Sequence, residues 1–243
     1  MSRGASGLPS PRPGSGEMFD AIAHRYDLVN RILSFGVDLR WRKETVRALA
    51  LRAGDRVLDL ATGTGDLAIA IARRHPDVTV VGVDPSRRML EVAEQKVRRR
   101  ALAGRIALRL GDAQALPFGD DYFDATTIAF GIRNVPDRRR ALEEMRRVTR
   151  PGGRITILEL NEPEGRWMGP LARLYIHRLV PWIGSAFSGN GEYRYLQRSI
   201  AAFPSPADFA LVMRSAGLTQ VEPRPLTFGV CTLFIARVPE EER

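Results

Sequence analysis

Residues 57–66 read VLDLATGTGD: an apolar run, a glycine-threonine-glycine turn, and carboxylates at Asp59 and Asp66. The run is short, apolar and followed by glycines, so it reads as a buried strand feeding a nucleotide-type loop. The spacing Gly63-x-Gly65-x-x-Ala68 satisfies a loose dinucleotide fingerprint. That spacing does not choose the ligand, because a carboxylate directly follows the glycines. An anion beside Asp66 would meet repulsion of about 1–4 kcal/mol per charge at ~4 Å, whereas a cation would gain. The plainer reading of Asp66 is stabilisation of a helix start by roughly a few tenths of a kcal/mol.

On either side of this stretch, apolar runs alternate with helical patterns. Strands are expected at 56–60, 78–83, 106–110, 123–130 and 154–159, and helices at 66–74, 86–101 and 137–149. Pro151-Gly152-Gly153 is a stop signal for the last helix. The alternation argues for a parallel sheet of βαβ units. After a helical stretch at 206–216, segments 218–224 and 228–236 are joined by a short turn and suggest an antiparallel hairpin on the sheet edge. Residues 1–16, rich in Gly, Ser and Pro, read as a disordered tail. Residues 17–243 then form a single domain, with a helical leader at 17–52 and an aromatic-rich helical insertion at 161–205.

Ligands of open parallel sheets bind beyond the carboxyl ends of the strands, near the topological switch point. Asp59 lies near the end of the first strand. Asp84 ends the second in VVGVDPS, where a carboxylate can accept two ribose hydroxyls, a need that NAD and S-adenosylmethionine share. Asp112 follows the third in GDAQALPF, positioned to bond an adenine amino group, while Ala113 offers a backbone N–H and room for the ring. S-adenosylmethionine carries an ammonium and a sulfonium and no phosphate, so it suits a glycine loop among acids. An NAD-dependent oxidoreductase fits the glycine spacing and Asp84, conflicts with Asp66 and leaves Asp112 unexplained. The cofactor-binding candidates are Asp59, Gly63, Thr64, Gly65, Asp84, Asp112 and Ala113.

The 37 Lys and Arg outnumber the 28 Asp and Glu, giving a formal charge of +9. One reading is a nucleic-acid or anionic-membrane partner. The other is solvated helix faces, as in RRR at 98–100 and 138–140, where no aromatics interleave as single-strand binders require. No nucleic-acid partner is expected. Cys231 is the single cysteine, which excludes an internal disulfide and suits a reducing cytoplasm. His24, His75 and His177 stand at no metal-ligand spacing, so no metal is expected. No apolar window approaches the ~18–20 residues of a membrane span, and the N-terminus has no secretory signal.

VLDLATGTGD, VVGVDPSRRML, GDAQALPFGDDYFD and RRVTRPGGRITILE resemble the successive motifs of class I methyltransferases. MFDAIAHRYDLVNRILSFGVDLRW at 18–41, FGIRNVPD at 130–137 and SGNGEYRYLQRSI at 188–200 narrow the resemblance to the C-methyltransferases of ubiquinone and menaquinone biosynthesis, over about Met18 to Ala236. The resemblance implies an α/β, Rossmann-like, mostly parallel seven-stranded sheet with helices on both faces, and cofactor contacts at Thr64, Asp84, Asp112 and Ala113. It implies S-adenosylmethionine-dependent C-methylation of a prenylated quinol, with demethylmenaquinol the leading substrate and a polyprenyl benzoquinol the second. Three positions depart from the pattern. Ala129 and Asn161 stand where the family often has serine, and Asp38 where histidine is common.

Carbon is a poor nucleophile until a ring hydroxyl loses its proton, so such an enzyme must assist deprotonation, stabilise a quinolate and align the carbon. Arg133, following the fourth strand, is the candidate oxyanion stabiliser at the pocket mouth; its alternative is a structural pair with an acid such as Asp59 or Asp66. Tyr26 is a candidate for contact with cofactor or quinol, or else packs in the core. His177 is the candidate base, acting through water, or else is merely packed. Tyr193 and Tyr195 are candidate cap-lining residues. Trp167, Tyr175, Trp182 and Phe187 line a prenyl channel or form ordinary core. Peripheral contact with an anionic membrane surface from the cytoplasm is a further expectation. The competing functions are methylation of another small molecule or of RNA, although no base-flipping motif or appended RNA module is present. The sequence leaves the oligomeric state open.

Overall fold

The computed structural model describes residues 34, 36–162 and 190–240. Along the chain come α1 (Asp38–Ala48), β1 (Arg56–Leu60), α2 (Asp66–Arg74), β2 (Thr79–Asp84), α3 (Arg87–Arg99), β3 (Ile106–Leu110) and β4 (Phe123–Ala129). They are followed by α4 (Arg138–Val148), β5 (Thr149–Leu160), α5 (Asn190–Ala201), α6 (Pro206–Ser215), β6 (Thr219–Leu226) and β7 (Cys231–Arg237). A short 3₁₀ turn occupies Ile132–Asn134, and Thr227–Gly229 form a left-handed turn.

The described strands form one seven-stranded sheet in the order β3-β2-β1-β4-β5-β7-β6. β1 pairs in parallel with both β2 and β4, so the chain winds outward from β1 in two directions and leaves the switch point between β1 and β4. β7 runs antiparallel to β5 and to β6, which forms the expected edge hairpin. Both faces are covered. Val57 of β1 packs with α1, α2 and α3, whereas Leu58 and Leu60 pack with α4 and α6. A strand buried on both faces must be apolar at successive positions, which is why RVLDL reads as a run rather than an alternation.

Helix starts follow local chemistry. The Ser86 side chain accepts the Met89 N–H at the head of α3, and Asp137 accepts the Arg140 N–H at the head of α4. Arg138–Arg140 therefore sit at a helix start, where the dipole disfavours them, and the Asp137 cap and pairs such as Arg139–Glu143 at 3.0 Å offset this. The Arg98–Arg99 end of α3 is dipole-favoured instead.

One expected element differs. β5 begins at Thr149, five residues before the expected strand, and runs through Pro151-Gly152-Gly153. The register slips between Phe123↔Thr149 and Ala125↔Arg154, so the triplet forms a bulge in the strand. A Cβ on Gly153 would lie 2.8 Å from the Asp124 carbonyl oxygen, so glycine is required where the backbones close up. Of the leader at 17–52, residues 34 and 36–52 are described, and of the insertion at 161–205, residues 161–162 and 190–205.

Candidate functional site

A pocket opens at the carboxyl ends of β1, β2, β3 and β4, across the switch point. Its floor is the β1–α2 loop. Gly65 adopts φ 80° as the residue before α2, and Gly63 adopts φ 55°. Neither conformation suits a residue with a Cβ. Ala61 at φ 47° and Phe130 at φ 58° also lie in the left-handed region, and both line the pocket. Backbone strain of this kind collects where the fold over-determines a functional site. Gly131 is required for another reason: a Cβ there would lie 2.4 Å from the Ala61 Cβ.

The three strand-end acids meet in this pocket. Asp84 holds the loop in place, its Oδ2 accepting the Gly63 N–H at 2.8 Å and its Oδ1 the Ser86 N–H at 2.8 Å. A carboxylate offers about four lone-pair sites, so capacity remains for ligand hydroxyls. Asp59 is 1% exposed, and its Oδ2 accepts the Thr62 hydroxyl at 2.6 Å. Burial pushes its carboxyl up to about 7, against the lowering effects of the Thr62 hydroxyl and the Arg42 guanidinium. Asp112 accepts the Gln114 backbone N–H at 2.9 Å, and the Gln114 amide reaches both of its oxygens at 3.0 Å. Asp112 and Ala113 both line the pocket. The segment they open is tied to α4, because Glu144 accepts the Leu116 N–H at 2.8 Å and Arg147 donates to the Phe118 carbonyl at 2.8 Å.

Asp66 differs from the expectation. Its carboxylate is paired with Lys96 of α3, which also donates to the Thr64 hydroxyl at 3.0 Å. The charge that argued against a phosphate is thus largely compensated. The acidity of the crevice rests on Asp59, Asp84 and Asp112 instead. Opposed to them on the described wall is Arg42 of α1. Asp38 stands 3.8 Å from its Nε, and the guanidinium lies 5.3 Å from the centre of the Phe130 ring. Asp38 therefore supplies a carboxylate to Arg42.

Arg133 does not line the pocket. It is 8% exposed, and its Nη1 donates to Glu159 Oε1 at 2.5 Å and to the Phe130 carbonyl at 2.8 Å. Its backbone N–H reaches Glu159 Oε2 at 3.2 Å. The acid in the pair is Glu159 rather than Asp59 or Asp66, and a buried carboxylate beside the guanidinium removes the free charge expected at the mouth. Arg133 closes the corner that carries Phe130 and Asn134, both of which do line the pocket. Tyr195 of α5 donates its hydroxyl to Asn134 Oδ1 at 3.1 Å, which joins the described part of the insertion to the rim. Ala129 lines the pocket without a polar side chain.

Tyr26, His177, Trp167, Tyr175, Trp182 and Phe187, and the side chain of Tyr193, lie outside the described residues. Among the described residues no group of His, Cys, Asp and Glu is arranged to hold a metal, and no helix is long and apolar enough to cross a membrane.

Sequence reasoning missed Arg42, Lys96, Asn134 and Glu159. Glu159 alone carried a signal, as a charge within the buried run RITILEL. A buried carboxylate demands a partner.

The family model described as the ubiE/COQ5 methyltransferase family matches residues 12–237. The ubiquinone/menaquinone biosynthesis C-methyltransferase UbiE of Geobacter sulfurreducens is 48% identical over 219 residues, covering 90% of this chain and 86% of that protein. The demethylmenaquinone methyltransferase of Thermus thermophilus is 47% identical over 223 residues, covering 91% of this chain and all of that protein. Among solved structures, a putative S-adenosyl-L-methionine-dependent methyltransferase from Methanococcus maripaludis superposes with TM-score 0.70 at 19% identity, covering 97% of this chain and 99% of that one. Phosphoethanolamine N-methyltransferase from Haemonchus contortus, solved with S-adenosyl-L-methionine, gives TM-score 0.68 at 16% identity, over 91% of this chain and 57% of that one. At such identities the two structures are alike in fold.

Proposed function

The chain belongs to the ubiE/COQ5 methyltransferase family, and we propose that it methylates a ring carbon of a prenylated quinol, converting demethylmenaquinol to menaquinol. The observation that carries the cofactor half of this reading is the meeting of Asp59, Asp84 and Asp112 in one pocket at the switch point. The residues present fit S-adenosylmethionine. Asp84 and Asp112 place carboxyl groups where a diphosphate would be repelled, and the open backbone at Gly63 permits close approach, a Cβ there meeting only the Ala61 carbonyl oxygen at 3.9 Å. The substrate half rests on relatives that bear the name demethylmenaquinone methyltransferase.

When bound, S-adenosylmethionine supplies an electrophilic methyl group. Asp84 would hold the ribose hydroxyls, its orientation fixed by the Gly63 and Ser86 N–H groups. Asp112 and the Ala113 backbone would hold the adenine edge. Asp59 would face the ammonium group, and Arg42 is the cation available on the described wall for a carboxylate. Phe130, Val135 and Pro136 line the pocket and would keep water from a carbon reacting beside them. Arg133, clamped by Glu159, keeps the Phe130–Asn134 corner in position and acts through that corner. The general base is assigned to no described residue.

Peripheral attachment to a membrane follows from the chemistry of a prenylated substrate, which partitions into lipid. The direct experiment supplies S-adenosylmethionine with a labelled methyl group to reduced demethylmenaquinol and to a reduced demethylated polyprenyl benzoquinol. Label in the menaquinol product supports the proposal. Label in neither quinol removes it, whatever the cofactor affinity.

A further inference from the structure

The turn between β6 and β7 spends backbone strain to expose an aromatic ring. Thr227, Phe228 and Gly229 take φ of 45°, 57° and 85°, three successive residues in the left-handed region, two of them with a Cβ. A β-branched residue there is an outlier. Yet Phe228 is 72% exposed, so the conformation does not serve core packing. The turn is firmly held. The Trp41 indole donates to the Thr227 hydroxyl at 2.8 Å, and Asn161 Nδ2 donates to the Gly229 carbonyl at 2.7 Å. Asn161 is itself fixed by the Thr232 hydroxyl at 2.7 Å.

Its place in the fold gives this geometry meaning. Cys231 pairs with Leu160, so the turn lies at the carboxyl end of β5, the end at which the pocket opens. Trp41 connects it to the pocket wall, its ring centre 6.1 Å from that of Phe130. The helix that carries Trp41 also presents Leu39, 40% exposed, with Arg40 and Lys43 exposed beside it. Phe228 at the turn and Leu39, Arg40 and Lys43 on the exposed side of the helix that holds it, in a chain of net charge +9, match the composition of a surface that seats in an anionic lipid interface.

We propose that Phe228 and the exposed face of α1 dock this corner onto an anionic bilayer and so bring the pocket mouth to the lipid. The proposal deepens the prenylated-quinol reading and rests on it for its purpose. Phe228 inserts among the acyl chains near the headgroups, and Arg40 and Lys43 meet the lipid phosphates.

The test is co-sedimentation of the full chain with vesicles of phosphatidylcholine alone and of an equimolar phosphatidylcholine–phosphatidylglycerol mixture. The wild type is expected to prefer the anionic vesicles. Phe228→Asn should lower that partitioning about tenfold or more, the range expected for burial of one phenyl ring. Asparagine tolerates the left-handed backbone, so the thermal midpoint should not fall and the loss is not unfolding. Lys43→Gln should lower partitioning about fivefold on anionic vesicles and leave neutral ones unaffected. In F228N, turnover of a water-soluble short-chain quinol should be unchanged while turnover of a long-chain quinol in vesicles falls. The proposal is overturned if F228N partitions like wild type, or if wild type ignores anionic lipid. It is also overturned if sedimentation equilibrium without vesicles shows a dimer that F228N dissolves, because the ring would then serve a second copy of the chain. Absence of methyl transfer to every quinol would defeat the substrate reading, and the vesicle measurements would still decide the docking surface.

Discussion

Asp59 should link cofactor affinity to pH. In the free protein its carboxyl titrates at about 7, raised by burial from an ordinary 3.8. An ammonium group beside it favours the ionised form, so binding must expel the proton that the free protein still holds below pH 7. At about pH 6 roughly a tenth of the free protein is ionised, and affinity for S-adenosylmethionine should be about tenfold weaker than at about pH 8. Calorimetry at pH 7 in two buffers of different ionisation enthalpy should register release of about half a proton per cofactor bound. The same acid weakens the fold. Between 3.8 and about 7 the folded chain binds a proton that the unfolded chain has lost, so stability falls as pH rises through that window. The full cost above pH 7 is about 4 kcal/mol at most, taking about 1.36 kcal/mol per pH unit. Asp59→Asn keeps an acceptor for the Thr62 hydroxyl and removes that cost. Its thermal midpoint should rise by several degrees at about pH 8, using about 2–4 °C per kcal/mol for a chain of this size, and rise little at about pH 4. Its cofactor affinity should be weaker and nearly independent of pH. A wild-type affinity that is flat between about pH 6 and 8, or the same slope in D59N, would refute the assignment of the proton to Asp59.

Arg42→Gln should move the Asp59 titration upward, because Arg42 lowers it; measured at a pH well above that titration, it should weaken S-adenosylmethionine about tenfold or more, the loss expected for one charge-assisted contact, and hardly change affinity for an analogue lacking the amino-acid carboxylate. Glu159→Gln leaves the Arg133 charge buried without its counter-charge and should cost about 3–5 kcal/mol in chemical denaturation, more than loss of an exposed pair. Gly131→Ala places a methyl 2.4 Å from the Ala61 Cβ, so it should displace the β1–α2 loop. Calorimetry should then show lost cofactor binding, and denaturation a loss of about 1–3 kcal/mol.

The layers of the fold were legible because each βαβ unit advertises itself locally. RVLDL and TVVGVD are apolar at successive positions since both sheet faces are covered, and Ser86 and Asp137 announce their helices through capping that acts over three residues. Pro151-Gly152-Gly153 misled for the same local reason. The triplet is turn-forming in isolation, and only pairing with β4 converts it into a bulge. Acids at strand ends were equally readable, because topology puts every such residue on one edge of a parallel sheet.

What stayed hidden is which cation meets which acid. Lys96 reaches Asp66 across 30 residues, and Arg133 reaches Glu159 across 26. In a chain with 37 lysines and arginines, nothing in local sequence marks Lys96 and Arg133 as withdrawn from solvent. The consequence is chemical. Judged by sequence, Asp66 repels phosphate and Arg133 offers a free charge; in the fold each is neutralised by a partner, and the contacts proposed for the donor's ammonium and carboxylate fall to Asp59 and Arg42 instead. Asp59 is held by burial rather than by a cation, which leaves its ionisation to be completed by the ligand. With the donor's ammonium beside Asp59 as proposed, such a pocket would select for a positively charged donor through the proton it must release, a selection that a carboxylate already paired with lysine cannot make.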